Sequence, residues 1–99
     1  DERRRCVHRI APGGAVAVYT KGNDEQTMRV PNYPVFDDDG NLFVSDSGDF
    51  GAKNGFIWRV APSGAATIWD RSASGFTNGM CLSRDGRALY VVESSPYTG

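Results

Sequence analysis

Asn32-Tyr33-Pro34-Val35-Phe36-Asp37-Asp38-Asp39-Gly40-Asn41-Leu42-Phe43-Val44-Ser45-Asp46-Ser47 recurs 46 positions on as Asn78-Gly79-Met80-Cys81-Leu82-Ser83-Arg84-Asp85-Gly86-Arg87-Ala88-Leu89-Tyr90-Val91-Val92-Glu93-Ser94. Asp39-Gly40 falls on Asp85-Gly86 without a gap, and one inserted residue then brings Leu42-Phe43-Val44 onto Leu89-Tyr90-Val91. A second pair interleaves with the first. His8-Arg9-Ile10-Ala11-Pro12-Gly13-Gly14 matches Trp58-Arg59-Val60-Ala61-Pro62-Ser63-Gly64 at an offset of 50. Strand-like text repeating with a period in the forties is the signature of a β-propeller blade.

The segments between these anchors read as short strands rich in Val, Ile, Phe, Tyr and Trp, punctuated by Gly, Pro, Asn and Asp. Strands are expected over Cys6–Ala11 and Ala15–Thr20, joined by Pro12-Gly13-Gly14. Tyr33–Asp37 and Leu42–Asp46 pair across Asp38-Asp39-Gly40-Asn41, where Asp-Gly supplies the positive φ of a hairpin turn. Phe56–Ala61 and Ala65–Asp70 repeat the first hairpin, and Gly79–Ser83 with Ala88–Glu93 repeat the second. Lys21–Val30, Ser47–Asn54 and Arg71–Thr77 are polar connections. No stretch has helical periodicity. Strands such as Phe56-Ile57-Trp58-Arg59-Val60 carry apolar residues on both faces, so their sheets must be covered on both sides, as radially packed blades are.

The expected fold is therefore all-β, a partial propeller of about two four-stranded antiparallel blades. Labelling blade strands A to D outward from the axis, residues 1–21 supply strands C and D of one blade. Residues 32–70 make one complete blade, and residues 78–94 supply strands A and B of the next. Propellers close with roughly four to eight blades, and an open pair leaves two apolar faces bare. The chain accordingly reads as a segment of a longer propeller. The alternative is three copies closing one ring, and exposed blade faces make self-association a candidate contact.

Ninety-nine residues with 39% hydrophobic and 23% charged content suit one ordinary globular unit. No apolar run approaches the ~18 residues of a membrane span, so no membrane partner is expected. A formal net charge of −1 gives no electrostatic pull toward nucleic acid. Arg3-Arg4-Arg5 reads as a solvated strand end. Cys6 and Cys81 read as buried free thiols rather than a disulfide, which suggests a reducing, cytoplasmic setting.

Topology divides the polar residues between two ends. The acidic tip Asp37–Asn41 is an A–B turn; placing Gly40 sixth in a calcium loop puts Val35 first, so that motif fails. At the other end Asn32 and Asn78 stand where loops enter the innermost strands, aimed at the central channel. Each either bonds neighbouring backbone to shape the turn or offers its carbonyl oxygen to a hard cation. Asp46, Ser47, Asp49, Glu93, Ser94 and Ser95 follow B strands at this end, as rim groups or as solvated loop residues. His8, replaced by Trp58 in the repeat, is structural, which leaves no histidine for a nucleophile relay.

Asn32-x-Pro-x-Phe-Asp-x-Asp-Gly-Asn-Leu-Phe-Val-Ser-Asp-Ser and Thr77-Asn78-Gly79-Met80-x-Leu-Ser-x-Asp-Gly-Arg-x-Leu-Tyr-Val-Val-Glu-Ser resemble the senescence marker protein/gluconolactonase/luciferin-regenerating enzyme family. The likeness implies a six-bladed propeller in which a divalent metal (calcium, zinc or magnesium) serves hydrolysis of a small-molecule lactone. Carried over, it makes Asn78 a metal ligand and Asn32 a substrate-binding residue. Two features depart from the family pattern. Tyr33 follows Asn32 where a carboxylate is common, and Val30 stands where many sugar lactonases carry arginine. The general base and the remaining ligands have no counterpart here, so the segment alone is expected to be inactive. A non-catalytic propeller that binds a small molecule or a protein is the alternative function.

Overall fold

The computed structural model describes residues 1–94. In chain order its strands are β1 (Val7–Ile10), β2 (Val16–Thr20), β3 (Pro31–Phe36), β4 (Leu42–Asp46), β5 (Phe56–Val60), β6 (Ala66–Asp70), β7 (Thr77–Leu82) and β8 (Leu89–Glu93). They form three antiparallel sheets, β1–β2, β3–β4–β5–β6 and β7–β8. No helix occurs among the described residues. The molecule is all-β, with one four-stranded sheet standing between two hairpins, as in part of a propeller.

The repeat in the text becomes a repeat in the backbone. Ala11 and Ala61 close the same tight turn, accepting hydrogen bonds from Gly14 N–H and Gly64 N–H at 2.8 Å each. Gly14 and Gly64 take φ of 94° and 92° there, a conformation only glycine adopts cheaply. The Asp-Gly tips behave likewise. Asp37 accepts hydrogen bonds from Asp39 N–H, Asn41 N–H and the Asn41 amide at 3.0, 2.8 and 2.9 Å. This carboxylate is engaged in shaping its own turn.

Both faces of the middle sheet are covered. On one, Leu42, Val44, Phe56, Trp58, Val60 and Ala66 pack with Met28 against Val7 and Tyr19 of the first hairpin. On the other, Phe43 and Ile57 pack against Met80, with Leu89 and Val91 of the last hairpin alongside. Every residue of β4 is buried, so it carries no solvent face and no alternation. Lys21–Val30, expected to be a polar loop, is anchored by Met28, which is fully buried.

Two expectations need correction. Cys81 is exposed, not buried. It lies opposite Tyr90 on the last hairpin, on a face that no other described element covers, whereas Cys6 is buried as expected. The innermost strands also begin two residues earlier than Tyr33 and Gly79, so Asn32 and Asn78 lie inside β3 and β7 rather than in the loops before them.

Candidate functional site

Each asparagine sits on a break in the ladder. Along β3 the pairing passes from Pro31↔Asp46 to Tyr33↔Ser45, so Asn32 is the extra residue of a bulge. Along β7 it passes from Thr77↔Glu93 to Met80↔Val91, which places Asn78-Gly79 opposite Val92 alone. Bulges re-aim a side chain and recur beside functional sites. Here the same device appears in two successive blades, and it lets each amide reach across to the end of the neighbouring strand.

Asn32 Nδ2 donates to Ser47 Oγ at 3.0 Å, and Asn78 Nδ2 donates to Ser94 Oγ at 3.3 Å. For Asn32 the amide orientation follows from proton counting. Ser47 Oγ is 2.5 Å from Thr77 O, and a carbonyl can only accept, so the single hydroxyl proton of Ser47 is committed there. Ser47 can therefore only accept from Asn32, and the group facing it must be the NH₂. The Asn32 carbonyl oxygen consequently turns away. Among the described residues nothing donates to Asn32 Oδ1 or Asn78 Oδ1.

A seam of hydroxyls ties the two asparagine segments together. Ser45 Oγ accepts from Tyr33 N–H at 3.1 Å and donates to Asn78 O at 2.7 Å. Thr77 Oγ1 donates to Asp46 O at 2.8 Å. Ser45, Asp46, Ser47 and Thr77 are all fully buried. The structure thus brings Asn32 and Asn78, both half-buried, to one end of adjacent blades through shared partners. That end was anticipated; the seam was not.

The B-strand acids divide by role. Asp46 and Ser47 are not solvated loop residues. Asp46 Oδ1 accepts from Val30 N–H at 2.8 Å, and its Oδ2 accepts from Arg29 N–H at 2.8 Å and Trp58 Nε1–H at 3.0 Å. Glu93 Oε1 accepts from Ser74 N–H at 2.8 Å and Gly75 N–H at 2.7 Å. These bonds, Gly75 first, hold the Glu93 carboxyl below the usual range. Asp49 is bonded by the Asn54 amide at 3.0 Å and by Arg29 at 2.8 Å, and these two partners lower its pKa in that order. Ser95 lies outside the described residues.

His8 Nε2 faces both Cys6 Sγ at 3.6 Å and Asp1 Oδ2 at 3.2 Å. Both contacts fall on one ring nitrogen, so no three-residue relay runs through the imidazole.

A family model described as SMP-30/Gluconolactonase/LRE-like region matches residues 2–98. The chain belongs to this family. Among curated proteins none matches the chain. Family membership accounts for the blade repeat and makes these residues a gluconolactonase-like propeller region.

A hard divalent cation takes about six to eight oxygen ligands. The two free amide oxygens suit such an ion in kind but fall short in number. Among the described residues no group of three or more His, Cys, Asp and Glu side chains assembles.

Proposed function

We propose that these blades belong to a metal-dependent lactone hydrolase whose reacting centre lies at the asparagine end of the channel. The observation that carries this reading is the unpaired amide oxygen of Asn32, whose orientation Ser47 fixes, with Asn78 on the matching bulge of the next blade, in a chain of gluconolactonase-like family. Among the described residues neither oxygen is a sealed, unpaired atom, so each stays open to water, a cation or a substrate group.

Asn78 would contribute Oδ1 as a neutral hard ligand. Asn32, its amide nitrogen held by Ser47, would present its own oxygen to a hydroxyl or bound water of the substrate, or to the same ion. A divalent ion, when bound, supplies Lewis acidity toward the lactone carbonyl and an activated water. Both oxygens of Asp46 are bonded to N–H donors, and one oxygen of Asp49 is shared by Asn54 and Arg29. Asp46 thus has no oxygen free to act as base or ligand, while Asp49 is held at the rim by its salt bridge to Arg29. The general base and the charged ligands would therefore come from other blades of the propeller.

The test is hydrolysis of a panel of sugar, aliphatic and aromatic lactones by the full-length protein, with calcium, zinc or magnesium and after chelation. Chelation should abolish turnover and metal return should restore it. Asn78→Ala should lower kcat/KM by at least ~100-fold, beyond the 10–100-fold typical of outer-sphere partners. Metal binding with no turnover across the panel would instead support a non-catalytic, ligand-binding propeller.

A further inference from the structure

Asp46 and Glu93 occupy the same place in the repeat, at the last residue of β4 and of β8. The structure gives them the same task. Asp46 receives the backbone N–H groups of Arg29 and Val30, three and two residues before Asn32. Glu93 receives those of Ser74 and Gly75, four and three residues before Asn78. A second bond repeats with them: Ser47 N–H donates to Val30 O at 2.9 Å, and Ser94 N–H donates to Phe76 O at 3.2 Å. In each blade, then, the end of strand B grips the incoming loop by two amides and a carbonyl. The gripped loop delivers the asparagine to its bulge, and the residue after the carboxylate receives the asparagine's amide.

We infer that Asp46 and Glu93 are positioning residues, each clamping the loop that presents the asparagine of its own blade. The inference rests on the reading of Asn32 and Asn78 as site residues. It also commits both oxygens of Asp46 and one oxygen of Glu93 to N–H groups. Charge makes the clamp firm, because an N–H bond to a carboxylate is shorter and roughly twice as strong as a neutral one. Backbone crowding makes it specific. A Cβ on Gly55 would lie 2.9 Å from Ser47 O, 3.0 Å from Asp46 O and 3.1 Å from Ser74 O, so the gripped loop, strand β4 and Gly55 meet at one tight junction. Phe76, between the clamp and Asn78, takes φ of 51°, an uncommon conformation for a non-glycine residue that the surrounding bonds must hold in place.

Glu93 is the better handle, because it is exposed and its removal leaves the buried seam intact. Glu93→Ala removes the acceptor, whereas Glu93→Gln keeps a carbonyl oxygen at the Oε1 position. In the full-length protein, Glu93→Ala should weaken calcium affinity by on the order of 10-fold, the usual effect of an outer-sphere partner. It should also speed amide exchange at Ser74 and Gly75 and broaden the Asn78 side-chain NH₂ resonances. Glu93→Gln should restore most of all three. If Gln fails as badly as Ala in calcium affinity while Ser74 and Gly75 stay protected, Glu93 is itself a ligand and the clamp is overturned. A full-length protein that binds no divalent ion overturns the reading of Asn78, but not the clamp. The clamp then falls if Glu93→Ala leaves the Ser74, Gly75 and Asn78 signals unchanged.

Discussion

Ser47 and Ser94 are the same residue of the repeat, yet they should respond very differently to substitution. Ser47 is fully buried and bridges the Asn32 amide to Thr77 O. Ser47→Ala strips a buried carbonyl of its donor and a half-buried NH₂ of its acceptor. The expected cost is ~1–3 kcal/mol, the penalty for a buried polar group left unpaired. Ser94 is exposed, so water replaces its hydroxyl, and Ser94→Ala should stay within about 0.5 kcal/mol of wild type. Urea unfolding of the two variants side by side measures the difference. Equal effects would mean that the proton committed to Thr77 does not fix the Asn32 amide. Thr77→Val gives an independent check, because it removes the donor to Asp46 O at almost constant volume.

At the scale of elements, acids serve turns and loop entries throughout. Asp37 is held below its usual pKa first by the Asn41 amide, and Asp70 first by Ala73 N–H. Asp85 is held first by the Ser83 hydroxyl, Asp49 by the Asn54 amide and Glu93 by Gly75 N–H. A carboxylate whose folded pKa is depressed stabilises the fold above its unfolded value and loses that contribution as pH falls through the folded one. Stability should therefore be flat from neutral pH down to about 5 and then decline below about 4, where free Asp and Glu begin to protonate. Urea midpoints at successive pH values report this. A midpoint that rises on acidification would overturn the reading of these turns. The strands and tips were legible in the sequence because Gly, Pro and Asp-Gly mark where the chain must bend, and two-sided apolar runs mark where it is sandwiched. The bulges were not, because adding one residue opposite the ladder leaves no mark in composition. The clamp did leave a mark, an acid at the same place in Ser45-Asp46-Ser47 and Val92-Glu93-Ser94. An acid after a strand normally means solvent, and only the fold shows two backbone N–H groups converging on each one.

For the molecule as a whole, the decisive asymmetry is between its middle and its two flanks. The middle sheet buries Trp58 and Ile57 completely on opposite faces. The outward faces of the hairpins remain open, with Ile10 at 68%, Val16 at 59% and Val18 at 55% exposure on one, and Tyr90 at 62% and Val92 at 58% on the other. Residues His8↔Val18 and Ile10↔Val16 are paired, so these side chains share one face of their hairpin. The middle sheet shows what such faces do in this fold: each is covered by the next blade. The 99-residue chain on its own should therefore associate through these flanks in a concentration-dependent way, seen by sedimentation velocity. Val18→Lys and Tyr90→Lys should each shift it toward monomer while far-UV circular dichroism stays unchanged, because a charge on an open face costs the monomer little. In the full-length propeller the same two substitutions should instead lower stability, because a neighbouring blade would bury the new ammonium without a partner. A chain that stays monomeric at every concentration, with both lysine variants neutral in the full-length protein, would mean that these faces are not blade contacts.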